Sequence, residues 1–311
     1  MGWPCRSELW GQTLEEARAD YAAVANAIAA FEPVTMIVDP RIDPAGPRCA
    51  LAAGIEILEL PLDDSWLRDC GPIYTLADGE RRAVHFGFNA WGGKFAPWDR
   101  DAAVGRLVAE RLGDAVEESA MVLEGGSILT DGRGTLLTTE QCLRNPNRNP
   151  SMSREEIEAE LTRRLGVSTF VWLGQGLLED RDTDGHVDLI AAFTAPGQVL
   201  LQTVPEENPN FEHCAENRRR LEAAGIIVTE LPWLPYAEVA GETIAVGYLN
   251  FYLCNGAVIV PVAGTDTDAR ALAVIAAAYP GREVVAVPGP IIAYGGGGPH
   301  CITQQVPGID G

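Results

Sequence analysis

The chain has 311 residues, of which 47 % are apolar, and a formal net charge of −21 at pH 7. That apolar fraction suits an ordinary globular core, and the acidity argues against nucleic acid and anionic membrane surfaces and is compatible with steering a small cation, or equally with solubility in a salt-rich cytoplasm. No apolar run approaches the roughly 18 residues of a membrane span, and Met1-Gly-Trp-Pro-Cys-Arg6 has no signal-peptide pattern, so a soluble cytoplasmic protein is expected.

In chain order, the first predicted element is a helix over 14–31. Leu14, Ala17, Tyr21, Val24, Ile28 and Phe31 fall on one helical face, and Thr13 with Glu16 has a capping-box pattern. Pro33 stops it. Short strands are expected over 34–38 and 55–60, with loop over 41–47. From there a plan repeats: a hairpin, then a helix, then a strand. Hairpin turns are signalled by Asp78-Gly79, Asp131-Gly132, Pro196-Gly197 and Asn255-Gly256, spaced 53, 65 and 59 residues apart. Helices are predicted over 101–112, 154–165, 212–224 and 268–279, the second with a Ser153–Glu156 capping box. Gly113, Gly166 and Gly225 occupy the positions of helix-terminating glycines. Strands follow over 120–123, 169–173, 226–231 and 283–287.

Five helix-then-strand units, four preceded by a hairpin, imply repeated ββαβ units around an axis with a period of roughly 60 residues. A doubly wound sheet competes, but hairpins before the helices depart from strict β-α alternation. No long linker divides the chain, so residues 1–311 are expected to form one domain.

The polar clusters fall at matching points, just before or at the start of each hairpin. They are Trp66-Leu-Arg-Asp-Cys-Gly-Pro72, Glu124-Gly-Gly-Ser127, Asp182-Thr-Asp-Gly-His-Val-Asp188 and Tyr248-Leu-Asn-Phe251, followed by the Gly295–Gly298 run that leads to Cys301. Pseudo-symmetric units would bring Asp69, Glu124, His186, Asp188, Asn250 and Cys301 into one pocket. A thiol, a histidine and two acids suit a planar cation. A guanidinium matches carboxylates through its forked N–H groups. Its central carbon is then open to a sulfur, with a histidine to move protons for the leaving ammonia and the hydrolytic water. A free thiol has a pKa of about 8.5 and needs a cationic neighbour to ionise at neutral pH, whether the substrate or His186.

Blander readings compete. The seven cysteines are scattered without a CxxC, which matches neither a disulfide framework nor a zinc site, and most suit buried apolar positions. Residues 182–188 lack the spacing of a calcium loop. His186 and Asp188 would make half a metal site, but His85 and His213 lie elsewhere, so no metal is expected. Trp66 and Trp91 fit the core as well as a ligand platform. Cys70 is taken as structural. With Ile302–Val306 read as a strand, His300 would face away from Cys301 and is left outside the site.

The clusters above, with Gly87-Phe-Asn-Ala-Trp-Gly-Gly93, Leu137-Thr-Thr-Glu-Gln-Cys-Leu143, Asn147-Arg-Asn-Pro150, Asn250-Phe-Tyr252 and His300-Cys-Ile-Thr-Gln-Gln305, resemble agmatine deiminases. These belong to the bacterial peptidylarginine-deiminase-like family of guanidino-group-modifying enzymes, and the resemblance covers nearly the whole chain. It implies a five-bladed α/β propeller of ββαβ units, the pentein fold. Cys301 matches the nucleophile, His186 the general acid/base, and Asp69 and Asp188 the carboxylates gripping the guanidinium. Glu124 matches the acid supporting the histidine, and Trp66 an aromatic beside the substrate's aliphatic chain. Asn250, placed by the repeat alone, is a candidate substrate-binding residue. The implied reaction takes agmatine and water to N-carbamoylputrescine and ammonia through a covalent thiouronium, without metal or organic cofactor. Deimination of free or peptidyl arginine, a non-catalytic guanidino or polyamine binder, and a metal-dependent hydrolase are the alternatives.

Three features depart from the family pattern. Relatives reach the motif at Trp3–Arg6 after some tens of residues, so the N-terminal segment is expected to be short and the fifth unit to lack its hairpin. Gly298-Pro299 replaces Asn-Ile before the His-Cys pair, and Gly247 replaces a serine. Asp63 or Asp64 would be the nearest guess for reading the substrate's amine, and self-association is common in the family.

Overall fold

The computed structural model describes residues 1–77 and 79–308. Strands β1 (Thr35–Val38) and β2 (Glu56–Glu59) pair in parallel, and Gly2 adds an isolated parallel bridge to Ile37. Four three-stranded sheets then share one plan, an antiparallel hairpin joined by a parallel third strand. The first three are β3 (Ile73–Ala77), β4 (Glu80–Gly87) and β5 (Ala115–Val122); β6 (Ile128–Thr130), β7 (Thr135–Thr139) and β8 (Thr169–Leu173); and β9 (Ala191–Ala195), β10 (Gln198–Gln202) and β11 (Ile227–Leu231). A separate hairpin of β12 (Tyr236–Val239) and β13 (Glu242–Ala245) precedes the last sheet of β14 (Tyr252–Cys254), β15 (Ala257–Val262) and β16 (Glu283–Pro288).

The repeat follows from local chemistry. Gly132, Gly197 and Gly256 stand at φ +69°, +70° and +78°, the left-handed backbone that hairpin turns demand. Gly79 of the first turn does the same at φ +78°; its predicted partner Asp78 lies outside the described residues. The middle strand of each sheet is paired on both sides, antiparallel to the strand before and parallel to the strand after the helix. Where such a strand is covered on both faces it reads as an apolar run, as Ala257-Val-Ile-Val-Pro-Val262 does. The connecting helices Asp101–Leu112, Arg154–Leu165, Phe211–Ala223 and Asp268–Ala278 agree with the sequence reading within one residue. Gly113 and Gly166 terminate two of them in the left-handed conformation.

The helix Leu14–Ala29 packs on β15 and β16 and buries Ala17, Tyr21, Val24 and Ile28. Each large apolar side chain so buried contributes about 1.5–3 kcal/mol. Tyr21 also fixes this helix to the segment before Asp69, through a 3.0 Å bond between its hydroxyl and Ser65 Oγ. The same apolar cluster contains Trp10, Trp66, Trp91 and Cys301. The fold thus places a thiol within its largest block of hydrocarbon.

Several expectations are corrected. Residues 302–306 form no strand; Ile302 N–H donates to Gly298 O (3.3 Å) and Thr303 N–H to His300 O (3.2 Å), so the chain turns instead of extending. The strand expected over 120–123 begins at Ala115, because parallel pairing to β4 recruits the polar residues Glu117 and Glu118 at an exposed edge. Thr13 does not cap its helix. Its hydroxyl donates to Trp10 O at 2.7 Å within the turn Gly11–Thr13. The loop over 41–47 runs into a short helix, Ala45–Ala50. The β12–β13 hairpin was not predicted; its Ala240-Gly241 turn, with φ +51° and +84°, carries no Asn-Gly or Asp-Gly signal.

Candidate active site

Four polar clusters sit at one structural position, in the turn that feeds the first strand of a hairpin. Asp69 lies in the short helix Leu67–Cys70 before β3, and Glu124 directly before the turn Gly125–Ser127 and β6. His186 and Asp188 flank and enter the turn Val187–Leu189 before β9, and Asn250 precedes β14. Cys301 arrives in a turn after the short helix Pro290–Tyr294. All six are buried, together with Trp66.

The side chains converge. His186 Nδ1 lies 3.9 Å from Asp69 Oδ1, and His186 Nε2 lies 4.0 Å from Glu124 Oε2. Cys301 Sγ lies 3.5 Å from Asp188 Oδ2. Asn250 accepts from Cys301 N–H through Oδ1 (3.3 Å) and donates to Asp188 O through Nδ2 (3.3 Å), tying the thiol segment to the acid segment. Glycine permits this density. A Cβ on Gly126 would lie 2.7 Å from His186 Nδ1 and 2.9 Å from both Asp188 Oδ2 and Asp69 Oδ1, and one on Gly297 would lie 2.8 Å from Cys301 Sγ. The proline at 299 withholds one donor, but His300 N–H donates to Asn250 O (3.0 Å) and Thr303 Oγ1 to Pro299 O (2.8 Å), so the segment is held on both sides.

Burial sets the electrostatics. Desolvation, then the charges of Asp188 and Asp69, push the Cys301 thiol well above its ordinary range. Desolvation pushes His186 down to about 3, so the imidazole is neutral. Desolvation, Asp188 and Glu124 together push Asp69 far up, against the hydrogen bonds it accepts. Asp188 behaves oppositely. Burial raises it, but the hydrogen bond from His300 and neighbouring positive charge outweigh that and hold it low. His300 is itself pushed down by burial and by Arg68.

Asp188 Oδ1, Glu124 Oε2 and both ring nitrogens of His186 are buried without a protein partner. Unsatisfied buried polar atoms are costly in a folded protein, and four in one place mark a site built for a polar ligand.

Several contributors escaped the sequence reading. Trp91 is a core residue, yet its Nε1–H donates to Asp69 Oδ2 at 2.9 Å. Gly126 N–H donates to Asp69 Oδ1 at 3.0 Å. Arg148 Nε lies 2.6 Å from Glu124 Oε1, NH1 2.8 Å from Asp184 Oδ2 and NH2 2.9 Å from Thr183 O. His300, expected to face away, places Nδ1 2.7 Å from Asp188 Oδ2 because its segment is a turn, not a strand. The signal for Arg148 lay in its motif Asn147–Pro150, and that for His300 in its adjacency to Cys301.

A cavity reaches this centre, lined by Trp66, Asp69, Trp91, Phe95, Asp182 and Cys301. Asp64 also lines it, but Arg6 Nε lies 3.2 Å from its carboxylate; Asp63 is absent from the lining and accepts from Arg100 N–H at 2.9 Å. Trp66 forms one wall and stacks on Trp10 with ring centroids 6.1 Å apart. Glu124, Cys142 and His186 bring one donor atom each within 4.8 Å of one another. The guanidinium on Glu124 already neutralises the one formal anion of that set, which makes it a poor seat for a dication.

Residues 1–307 match the model of the Porphyromonas-type peptidyl-arginine deiminase family. The agmatine deiminase of Stutzerimonas stutzeri is 41 % identical over 99 % of this chain and 92 % of its own. The solved agmatine deiminase of Enterococcus faecalis superposes with a TM-score of 0.92 at 33 % identity, covering 98 % of this chain and 91 % of that one. A substrate-bound agmatine deiminase of C. jejuni superposes with a TM-score of 0.89 at 27 % identity, covering 95 % and 88 %. The α/β fold, the ordered motifs and these likenesses agree, and the chain belongs to the Porphyromonas-type peptidyl-arginine deiminase family.

Proposed function

We propose that this protein is a hydrolase that converts agmatine and water to N-carbamoylputrescine and ammonia. The observation that carries the reading is the gathering of Cys301, His186, Asp69 and Asp188 in one buried site, 3.5 Å between Cys301 Sγ and Asp188 Oδ2, in a chain similar to agmatine deiminases along its length. Asp69 and Asp188 grip the guanidinium through forked, charge-assisted hydrogen bonds. The arriving cation offsets the two carboxylates that hold the thiol up, so it favours ionisation of Asp69 and Cys301 together. Sγ attacks the guanidinium carbon. His186, neutral beforehand, shuttles the thiol proton to the departing nitrogen, which leaves as ammonia and breaks its C–N bond. Water then attacks the thiouronium with His186 as base, the C–S bond breaks, and the proton released converts ammonia to ammonium. Glu124, held by Arg148, steadies the imidazolium formed in between. Trp66 packs beside the aliphatic chain and Asn250 holds the nucleophile's backbone.

A second reading, deimination of free or peptidyl arginine, is less well supported. The cavity beside Cys301 is lined by Asp64 and Asp182 and, among the described residues, by no Arg or Lys. That lining favours a distal ammonium over a carboxylate. A thiol gathered with a proton carrier and two acids in one buried site disfavours a mere guanidino binder.

The four matching sheets, with β1–β2 as a fifth, support a five-bladed α/β propeller forming one catalytic domain over residues 1–311. A cytoplasmic, self-associating enzyme without metal, organic cofactor or nucleic-acid partner completes the proposal. Among the described residues no helix is long and apolar enough to cross a membrane. The test is ammonia release from agmatine, free arginine and a blocked arginyl peptide, compared by kcat/KM, with and without EDTA. Agmatine should lead and EDTA should not inhibit. Preference for arginine would overturn the substrate, and loss of turnover in EDTA the metal-free mechanism.

A further inference from the structure

A second cavity, of about 360 Å³, shares no lining residue with the one beside Cys301. Asp188 and His300 belong to its wall, with Arg68, Gln304 and Gln305. The Asp188 side chain is 1 % exposed and that of His300 18 %. The imidazole therefore stands between a buried carboxylate and an open cavity.

The two oxygens of Asp188 are used differently. Oδ2 is met by His300 Nδ1 at 2.7 Å and by Cys301 Sγ at 3.5 Å. Oδ1 is buried and has no protein partner. A carboxylate fixed through one oxygen presents the other in a defined direction. His300 is in turn held at its backbone, where its N–H donates to Asn250 O and its carbonyl accepts from Arg68 Nε at 3.2 Å. The groups facing its ring from neighbouring elements are Asp188 and Arg68, and the next residue carries the thiol.

We propose that His300 is a positioning residue for this site: its Nδ1–H holds Asp188 Oδ2 so that Oδ1 is aimed at an N–H of the planar cation bound beside Cys301. The role rests on the deiminase reading only for the identity of the substrate, since any planar amidinium would use the same oxygen. His300 touches neither the substrate nor the sulfur in this role. Its contribution is to the direction and the charge of Asp188. Loss of the donor frees the carboxylate to rotate, and the amidinium loses one of its two grips.

The test compares two alkylating probes at Cys301. In 2-chloroacetamidine the reactive carbon is attached to an amidinium; iodoacetamide is neutral. With each, an Sγ–C bond forms, the carbon–halogen bond breaks, the halide leaves with the electron pair and the thiol proton passes to solvent. The ratio of the two rates, followed on the Cys301 peptide by mass spectrometry, reports the amidinium grip and cancels changes in thiol reactivity. His300→Leu removes the donor at similar volume, and His300→Asn places an amide N–H near the position of Nδ1. The ratio should fall about tenfold or more in His300→Leu and stay within about threefold of wild type in His300→Asn, as expected for loss and retention of one hydrogen bond to a charged group. A ratio in His300→Leu within about threefold of wild type, or an Asn variant as impaired as the Leu variant, would overturn the proposal. His300→Ala replaces the Leu variant if that chain does not fold. Agmatine turnover by the wild-type protein tests the deiminase reading separately, because the probe ratio does not depend on it.

Discussion

Arg148 Nε lies 2.6 Å from Glu124 Oε1, and both side chains are wholly excluded from solvent. The pair lies beneath His186, whose Nε2 is 4.0 Å from the other oxygen of Glu124. Removing one member of a buried pair strands the other, at a cost of about 3–5 kcal/mol. Arg148→Met should therefore lower the unfolding free energy measured in urea by an amount of that order and reduce kcat. Arg148→Lys should recover only part of both, because a lysine cannot serve Glu124, Asp184 and Thr183 O through one rigid fork. Full recovery with lysine would show that charge alone matters there.

Gly126 separates structure from chemistry. Its backbone is not in the left-handed region, so alanine is conformationally acceptable. The added methyl would nonetheless press on His186 Nδ1, Asp188 Oδ2 and Asp69 Oδ1 at 2.7–2.9 Å. Gly126→Ala should fold and lose about a hundredfold or more in kcat/KM, the scale expected when reacting groups are displaced by an ångström. Near-wild-type turnover would mean that these three groups tolerate displacement.

The Cys301 thiol is raised above its usual range by burial and by the two aspartates. The reactive thiolate therefore forms only as pH climbs past that range. Iodoacetamide labelling of the Cys301 peptide in the free protein should keep rising through pH 9. A plateau for Cys301 by pH 7 would indicate a thiolate already formed in the empty site.

At the helix Arg154–Leu165, Ser153 Oγ accepts from Glu156 N–H at 3.2 Å and Glu156 Oε2 accepts from Ser153 N–H at 2.7 Å. Ser153→Ala should cost about 1 kcal/mol in urea unfolding and leave kcat unchanged, since the cap lies outside the site. A null effect on stability would make this capping box ornamental.

The repeat was legible because its signals are local. Glycines in hairpin turns, one good capping box and apolar middle strands all act within a few residues. The site was legible for a related reason. If the units are equivalent, Asp69, Glu124, His186 and Asn250 occupy one position in each, and the structure does put them in the turns that feed hairpins. What failed was decided by distant partners. The polar strand β5 exists because β4 is beside it. The segment after Cys301 turns because its N–H groups find Gly298 O and His300 O, and that turn is what swings His300 onto Asp188. Thr13 looked like a cap, yet the preceding turn offered its hydroxyl the Trp10 carbonyl. Arg148 carried no local sign of its partner, since Glu124 lies 24 residues upstream.

The glycines before Cys301 work through close approach as much as through backbone freedom. Of the four, only Gly296 has a positive φ, at +113°. A Cβ on Gly295 would lie 2.2 Å from the Trp10 ring, and one on Gly298 2.8 Å from Asn250 Oδ1. Packing of the tryptophan cluster and placement of the thiol are thus one structural problem.

The central claim is that Cys301 bonds to the guanidinium carbon of agmatine. Acid quenching during turnover, followed by peptide mass mapping, tests it most directly. The Cys301 peptide should carry the mass of agmatine less ammonia, and the adduct should vanish in Cys301→Ser along with ammonia release. An adduct on another cysteine, or full turnover in Cys301→Ser, would contradict the account.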